Sequence, residues 1–510
     1  MAANNFTGVI NSNYGTLGNW SLLVVPTASD GNVATFTNTS PACTVNVSSV
    51  ANAIDFTNYT NTITFTNKIV VSGNVTLGAS MVFAGAAADA LSILTASTMT
   101  SNGVTVGVPL TLSGNVTYTL ADSWTVAALV SSSNTATQTI NGNTINLGAG
   151  YSNTVGTGTI QGTTLLKFTG TGTWTYSASG GTVKNNVTIA CGAGTFSFTG
   201  RATGVALYTG TFTYTSGSFG TFSGALSINN TTTLDWGGST NIMPLAIFTV
   251  NATVTITLLS NVYLSGTFTQ SGGTYTINGF TIFLSGNLTT TTGIMQGTTV
   301  FTLSGGGTWS GNFPVKNSIT FAGNYTVSGT VQYNTGTMTY SSGTITTTSS
   351  TITVGASTTF ATSGMSWNNI TVSATSTLTI NSTLTVGGTL TLSANTTFAG
   401  TAGFSVNTLS ATTAGLTHTL VHAVTYTVTT SLVFTGTLAS HMVVISDDGT
   451  TKALLTLTPG ASQSVSFTNA TRIDSSGGQT IWDFGGTLTT TVNWNLLVPT
   501  SVQSAYTHIN

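Results

Sequence analysis

The chain has 510 residues, of which only 3% are charged, with nine acidic and seven basic side chains and a net charge of −2. Every acidic residue is an aspartate, and so little charge excludes both a surface of long charged helices and a basic stripe that would track nucleic-acid phosphates. A hydrophobic content of 40% separates the chain from disordered polypeptides, which combine low hydrophobicity with high net charge.

The residues that replace the charged ones favour extended backbone. Threonine, serine, asparagine, valine and glycine recur throughout, and the β-branched members of this set suit the pleated, half-buried surface of a sheet. We therefore predict an all-β fold. The basic residues are scattered singly, which leaves few sites for trypsin-like proteases and suits a harsh exterior: Lys68, Lys167, Lys184, Arg201, Lys316, Lys452 and Arg472.

Residues 1–50 precede the clearest repeats, and we predict that they form an N-terminal cap or docking segment. The first twenty residues contain neither a basic n-region nor an apolar h-region, so no conventional secretory signal is visible. No run approaches the roughly 18 apolar residues that a membrane helix needs. We expect neither a membrane span nor a nucleic-acid partner.

Residues 51–414 repeat one theme, in which an alternating stretch is followed by a glycine-bearing turn and a second alternating stretch. The spacing of these units falls near multiples of about 20 residues, which is the length of one coil of a parallel β-helix. Examples are IVVSGNVTL (69–77), LTLSGNVTY (110–118), VYLSGTFTQ (262–270), IFLSGNLTT (282–290), YTVSGTVQY (325–333) and LTVGGTLTL (384–392).

Such a coil cannot bury its own apolar face, so neighbouring coils must stack and pair strand to strand. We therefore predict an elongated parallel β-helix or β-solenoid over residues 51–414. The few prolines inside it, Pro109, Pro244 and Pro314, agree with continuous ladders that need their N–H donors.

Residues 415–510 differ in composition, and we predict a distinct C-terminal β module that serves as a cap, an oligomerisation element or a recognition element. The segment VVISDDGTTKALLTL (443–457) predicts an antiparallel hairpin with Asp448-Gly449 at its turn. This module holds all the histidines and four of the aspartates: His418, His422, His441, His508, Asp447, Asp448, Asp474 and Asp483.

The two termini share a short similarity, NWSLLVVPT at 19–27 and NWNLLVPT at 493–500. The segments could be a common docking or capping element used in assembly, because the caps of repeat proteins depart from the repeat. A chance match in a compositionally biased chain explains the similarity equally well.

Paired carboxylates would indicate a glycosidase, because glycoside hydrolysis needs two acids about 5 to 10 Å apart. The remaining aspartates are too dispersed to form one cluster: Asp30, Asp55, Asp89, Asp122 and Asp235. Asp474 and Asp483 are the pair that could meet, but their contexts favour solvated turn residues. We expect no catalytic residue and no enzymatic activity.

The histidines and cysteines give little evidence for a metal site or a disulfide scaffold. His418 and His422 would share one face of a strand, with His441 nearby, yet two or three histidines without other ligands make a weak case for a metal. We expect no metal and no cofactor. Two cysteines are too few for a disulfide scaffold, so we expect Cys43 and Cys191 to be buried free thiols.

Two surface patterns suggest binding. Thr-x-Thr triplets resemble those of ice-binding proteins in composition, although their placement along the chain is irregular. Tryptophans on one face could form an extended glycan-binding strip, whereas tryptophans inside the coils would fill the core. The tryptophans are Trp20, Trp124, Trp174, Trp236, Trp309, Trp367, Trp482 and Trp494.

The SGN and SGT units resemble two groups of proteins, the β-helical fibre, spike or decoration proteins of phage virions and the β-strand repeats of autotransporter passengers. Autotransporters need an export signal, and none is visible, which favours the first group. The resemblance implies a structural or adhesive protein on a virion surface, with virion proteins as partners, a homo-oligomeric state such as a trimer, and host glycans as ligands. The alternatives are a bacterial surface adhesin or extracellular filament subunit, and a polysaccharide-degrading tailspike.

Overall fold

The computed structural model is all-β, and its coils of about 21 residues form a parallel β-solenoid over residues 33–489. It describes residues 3–8, 11–22, 25–27, 29, 31–85, 87, 90–131, 137–153, 159–176, 182–199, 205–207, 210–223, 225–238, 240–244, 247–251 and 253–497. Four residues discussed above, Asp30, Asp89, Arg201 and His508, lie outside this part of the chain. The prediction of a parallel solenoid with coils of about 20 residues is confirmed.

The chain divides into two compact units, of which the first comprises Met1–Thr267 with Asn278–Phe280. Among its described residues, this unit includes one 3₁₀ turn, Leu17–Asn19. Its strands are β1 (Ala3–Asn5), β2 (Val33–Thr35), β3 (Cys43–Val45), β4 (Ser49–Ala51), β5 (Ala53–Asp55), β6 (Thr62–Phe65), β7 (Ile69–Val71), β8 (Val75–Thr76), β9 (Val82–Gly85), β10 (Leu91–Ile93), β11 (Ser97–Thr100), β12 (Thr105–Val106), β13 (Leu110–Leu112), β14 (Thr117–Leu120), β15 (Trp124–Ser131), β16 (Thr137–Gly142), β17 (Ile145–Asn153), β18 (Thr159–Gln161), β19 (Leu166–Phe168), β20 (Gly172–Tyr176), β21 (Thr182–Val183), β22 (Val187–Thr199), β23 (Val205–Leu207), β24 (Thr211–Ser223), β25 (Ala225–Ile228), β26 (Thr232–Asp235), β27 (Ile247–Val250), β28 (Val254–Leu258) and β29 (Val262–Leu264).

Strands of the first unit pair in parallel with the strands one coil before and one coil after them. Leu91 of β10, for example, pairs with Ile69 of β7 on one side and with Leu110 of β13 on the other. One such ladder joins β2, β5, β8, β11, β14, β16, β18, β21, β23, β25 and β27.

The second unit comprises Phe268–Ile277 and Thr281–Asn510. Its strands are β30 (Thr267–Gly279), β31 (Ile282–Leu284), β32 (Leu288–Gln296), β33 (Phe301–Leu303), β34 (Thr308–Gly311), β35 (Pro314–Val315), β36 (Ile319–Ala322), β37 (Tyr325–Tyr333), β38 (Thr337–Ser342), β39 (Ile345–Thr346), β40 (Ser350–Val354), β41 (Thr358–Ala361), β42 (Ser366–Trp367), β43 (Asn369–Val372), β44 (Ser376–Ile380), β45 (Leu384–Leu392), β46 (Thr396–Gly400), β47 (Phe404–Ala411), β48 (Thr417–Leu420), β49 (Thr425–Thr435), β50 (Met442–Ser446), β51 (Ala453–Leu457), β52 (Ser462–Ser466), β53 (Thr468–Thr471), β54 (Ile473–Asp474), β55 (Ile481–Phe484), β56 (Thr487–Thr489) and β57 (Trp494–Leu496).

Each coil of the second unit contributes strands to three parallel ladders. The first ladder joins β31, β33, β36, β38, β41, β44, β46, β48, β50, β53 and β56. The long strands β45, β47 and β49 turn a corner, so their first halves lie in the second ladder with β42, β51 and β54. Their second halves lie in the third ladder, with β37, β40, β43, β52, β55 and β57.

The interior is built from stacked columns of apolar side chains. Strand β44 (STLTI) alternates buried and half-exposed residues, as a strand with one face on the core should. Because the strands stack in register, each inward residue lies on an inward residue of the next coil. One fully buried column in the third ladder consists of Val331, Ile352, Ile370, Leu390, Leu409 and Leu432.

Two glycines of the repeated S-G pairs lie where successive coils approach closely. A methyl group on Gly73 would clash with the carbonyl oxygen of Asn52, and one on Gly114 would lie 2.8 Å from the carbonyl oxygen of Leu94. Gly114 also has a φ of 96°, which L side chains rarely adopt. At these two positions glycine lets one coil pack on the previous one, whereas Gly329 has open space around it and a φ of 69° that favours glycine.

Asparagine side chains near the corners accept hydrogen bonds from backbone N–H groups that have no partner in the ladders. Nine asparagines at or next to corners each accept, through the side-chain Oδ1, a hydrogen bond of 2.8 to 3.3 Å from the backbone N–H of a threonine on the following coil. The third residue of the repeated S-G-N triplets, as in Asn74, Asn115 and Asn287, is one of these. The full set is Asn74, Asn115, Asn141, Asn186, Asn287, Asn324, Asn369, Asn395 and Asn469.

The hairpin predicted at residues 443–457 is wrong. Strand β50 pairs in parallel with β48 and β53, whereas β51 pairs in parallel with β49 and β54. The Asp-Gly turn is a corner between two ladders, where Asp448 Oδ1 accepts the N–H of Thr450 at 2.9 Å. Parallel coils therefore continue into the segment assigned to the C-terminal module, and the boundaries at residues 50 and 414 stay predictions.

Removing a corner asparagine should weaken the stack by a measurable amount. Asn324 Oδ1 accepts the N–H of Thr344 at 2.8 Å, so Asn324→Ala leaves that donor to water and should cost about 1 kcal/mol. The measurement is the midpoint of urea unfolding. Asn381→Ala is the control, because Asn381 is exposed and only its backbone N–H is bonded, to Phe360. Equal losses of stability in the two variants would contradict a stabilising role for the Asn324 hydrogen bond at the corner.

Candidate functional site

The outer surface of the third ladder carries two adjacent columns of side chains, all polar except Val433, which we call the hydroxyl face. They run over the seven strands β37, β40, β43, β45, β47, β49 and β52, two residues apart on each strand. The first column is Thr330, Thr351, Asn369, Thr389, Thr408, Ser431 and Ser462, and the second is Gln332, Thr353, Thr371, Thr391, Ser410, Val433 and Ser464. Threonines that are irregular in sequence are thus aligned in space.

The hydroxyl face is uncharged, and several of its hydroxyl groups are free to bind. Between Asp235 and Asp447 the sequence contains one charged residue, Lys316, which lies on none of the seven strands. Within the described part of the chain, none of the seven threonine hydroxyls makes a hydrogen bond, those of Thr330, Thr351, Thr353, Thr371, Thr389, Thr391 and Thr408. These groups can donate to and accept from a polar, neutral ligand.

Two aromatic side chains continue the hydroxyl face on the next strand, β55. Trp482 and Phe484 alternate with the buried Ile481 and Asp483, so both point outward, and they are 45% and 43% exposed. Residues two apart on a strand lie roughly 7 Å apart. Because Asp483 pairs with Val465, Trp482 lies beside Ser464 at the end of the second column.

An open cleft of about 520 Å³ adjoins these rings. Its lining combines the two rings, Leu497 and Val465 with the hydroxyl groups of Ser464 and Ser466 and the amide of Gln463. The amide of Gln463 is held in place, since its Oε1 accepts the N–H of Trp482 at 2.8 Å and its Nε2 donates to the carbonyl of Thr480 at 3.0 Å. Flat rings beside fixed polar groups are the arrangement that suits a sugar ring.

The hypothesis of an extended strip of outward-facing tryptophans is wrong, because seven of the eight tryptophans fill the interior. Trp20, Trp124, Trp174, Trp236, Trp309, Trp367 and Trp494 are each at most 2% exposed. Only Trp482 faces outward. A signal for it exists in the sequence, since I-W-D-F places apolar residues on both sides of the alternation, whereas the interior tryptophans alternate with threonine, serine or other small polar residues.

Most of the described aspartates accept hydrogen bonds from backbone N–H groups in turns, as the sequence contexts indicate. Asp55 accepts the N–H of Thr57 at 2.9 Å, and Asp235 accepts that of Gly237 at 2.9 Å. Asp122 spans two donors on the preceding coil, the N–H groups of Ser101 and Asn102, at 2.7 and 2.6 Å. These carboxylates therefore act as local caps.

Asp474 and Asp483 have different environments. Asp474 accepts the N–H of Ser476 at 2.8 Å, and the hydrogen bonds from Ser476 lower the pKa of this carboxyl group. Asp483 lies on β55 with its side chain in the interior, 0% exposed, where it accepts the N–H of Thr468. Burial raises the pKa of Asp483 to about 6. The interpretation of Asp483 as a solvated turn residue is wrong.

The prediction that His418 and His422 share one face of a strand is also wrong, because β48 ends at Leu420 and the chain turns before His422. His418 is buried with no hydrogen-bond partner at either ring nitrogen in the described chain, and burial lowers its pKa to about 4. His422 is exposed and contacts Asp447 Oδ1 at 3.0 Å, while His441 contacts Asn469 Oδ1 at 2.8 Å. The described residues include no group of three or more metal-ligand side chains.

The two Asn-Trp dipeptides make similar contacts, although residues 23, 24 and 498–500 of their segments lie outside the described chain. Each tryptophan is buried, and each asparagine donates from Nδ2 to loop carbonyls: Asn19 to Asn13 at 2.8 Å, and Asn493 to Ser475 at 3.0 Å. The strand contexts differ. Trp20 forms an antiparallel bridge with Phe6, whereas β57 pairs in parallel with β55.

Both cysteines are free and buried, as predicted, and burial raises the pKa of each thiol. Within the described residues, no helix is both long and apolar enough to cross a membrane. No protein-family model, no curated protein and no solved structure matches this chain.

Stability should fall in acid because of His418. Its pKa is about 4 when folded and about 6.5 when unfolded, so the unfolded state binds the proton more tightly. This group should therefore cost about 3 kcal/mol of stability as the pH falls from above 6.5 to below 4. Unfolding of His418→Leu at a series of pH values should lack this loss. His422→Gln, at an exposed site, is the control, and a parent-like acid profile in His418→Leu would contradict the assignment.

Asp483 should change the pH dependence of stability in the opposite direction to His418. Its folded pKa is raised, so ionisation opposes folding and stability should increase as the pH falls through about 6. Asp483→Asn should raise the melting temperature at pH 8 and change it little at pH 4. Asp474→Asn is the matched comparison, since the lowered pKa of Asp474 means that its ionised form stabilises the fold and its loss should lower the melting temperature at pH 8. Similar shifts in both variants would refute the distinction.

Proposed function

We propose that this protein is a non-enzymatic structural and adhesive component of a virion exterior, such as a fibre, spike or capsid decoration, that contacts host glycans through Trp482 and Phe484. The observation that carries the proposal is the outward aromatic pair of β55 beside the amide of Gln463, which two hydrogen bonds hold in place, and the hydroxyl of Ser464. Aromatic faces stack on the apolar faces of sugar rings, and adjacent hydroxyl and amide groups can bind the sugar hydroxyls.

The structural part of the proposal depends on the coils themselves. Stacked parallel coils pair each strand with its neighbours in the next coils and bury continuous apolar columns, which opposes local opening to proteases. The scarcity of lysine and arginine lowers the number of tryptic sites further. Both properties suit a protein that works outside a cell.

The absence of an enzymatic role is proposed from the occupancy of the carboxylates. Asp55, Asp122, Asp235 and Asp474 are engaged by backbone donors of turns, and Asp483 is buried. Glycoside hydrolysis requires a general acid and a second carboxylate that both reach the substrate. Incubation with the glycans that bind, followed by an assay for new reducing ends, should detect no cleavage. Turnover that disappears in Asp474→Asn or Asp483→Asn would instead support the tailspike alternative.

The location can be tested with antibodies raised against the purified protein. Gold-labelled antibody should decorate virus particles from the source culture in electron micrographs. Labelling confined to cell surfaces or to cell-free filaments would favour the adhesin or filament alternative and would overturn the virion assignment.

Glycan binding should depend on Trp482. On a glycan array, Trp482→Ala should lose about tenfold or more in affinity for the glycans that bind the parent, because a stacking ring worth about 1.4 kcal/mol is removed. Phe280→Ala is the matched control, since Phe280 is 53% exposed on a different part of the chain. Melting curves should show that both variants remain folded. Equal affinity of the parent and Trp482→Ala would contradict the proposal that the aromatic pair contacts the glycan.

A further inference from the structure

We propose that the hydroxyl face is a binding track for an uncharged, unbranched polysaccharide, which lies along the stack of coils and ends on Trp482. The inference rests on the proposed function, and it adds the chemical class and the orientation of the ligand. It also enlarges the site from one aromatic pair to eight successive strands.

The first argument is geometric. The two columns are in register over seven strands, and β55 continues the second column with Trp482 next to Ser464. Strands in a sheet are about 4.8 Å apart, so the track is roughly 30 Å long. A ligand that lies along the track therefore meets the same kind of polar group at regular intervals, which suits a polymer with a short repeat.

The second argument is the hydrogen-bonding capacity of the track. The hydroxyls of Thr351, Thr353, Thr371, Thr391 and Thr408 have no partner in the described chain, and each can act as donor and acceptor. Sugar hydroxyls have the same dual capacity. A ligand with many hydroxyl groups that lies along the track can therefore form hydrogen bonds with successive coils without leaving a polar group unsatisfied.

The third argument is charge. The seven strands of the two columns contain no charged residue, and the one on β55, Asp483, has its side chain buried. A polyanion or polycation would lose solvation here and gain no opposite charge in return. The track therefore favours a neutral polymer, and binding should be nearly independent of salt.

The experiment measures affinity against ligand length. Neutral unbranched glucans, mannans and galactans are each tested as the polymer and as oligomers from the disaccharide to the octasaccharide, at low and high salt. The test variant is Thr371→Val/Thr391→Val, which removes two free hydroxyls from the track and keeps the β-branched shape that strands favour. The control is Thr385→Val/Thr427→Val, at two residues of the second ladder, on the other side of the corner.

We expect the affinity of one glycan series to rise with length, and the Thr371→Val/Thr391→Val variant to lose about tenfold for the polymer and little for the disaccharide. Two hydrogen bonds of about 0.7 kcal/mol each account for a tenfold change. The control variant should bind as the parent does, and melting curves should show that both variants are folded.

The failures of the two proposals are distinguishable. If disaccharide and polymer bind equally, and only Trp482→Ala weakens them, the track is refuted while the aromatic contact stands. Preference for a charged polymer, with affinity that falls as salt rises, also refutes the track. If no glycan of any length binds the parent protein, the glycan contact in the proposed function fails as well.

Discussion

The hydrogen-bonded ladders between successive coils are the interaction on which the rest of this structure depends. A coil of about 21 residues is one strand thick, so it has no interior until another coil covers it. The ladders also impose a period, because a strand can pair in register only if each coil returns to the same place. At the corners the backbone leaves the ladder, and there asparagine side chains accept the N–H groups that would otherwise be open, while glycine lets the coils approach.

The same stacking explains why the chain contains so little charge. A residue on the outer surface lies about 4.8 Å from its equivalents on the coils above and below. Two like charges at that distance repel by about 0.9 kcal/mol even with the dielectric constant of water, and a column of them would repeat this cost at every coil. Threonine and serine avoid the cost and favour strands or tolerate them. With 3% charged residues, the surface avoids a column of like charges on successive coils.

The sequence predicts the class and period of the fold because both follow from local patterns. Alternation indicates strands, and the S-G-N units recur at the coil length. The errors concern features that depend on where strands end. His418 and His422 are separated by a corner, the Asp448-Gly449 turn joins two ladders instead of two paired strands, and Asp483 points inward. A shift of one residue reverses inside and outside, and spacing alone does not reveal it.

The hydroxyl face could not be found from the sequence for a related reason. Thr353, Thr371 and Thr391 are 18 and 20 residues apart, and only the register brings them into one column. Unequal spacing therefore does not mean an irregular surface, because loops at the corners absorb the differences in coil length. Alignment by the ladders makes weak, neutral groups act together, since a polymer that bonds to one coil is already positioned for the next. Such a surface gains affinity by repetition, and a chain with almost no charge can hold an extended ligand in this way.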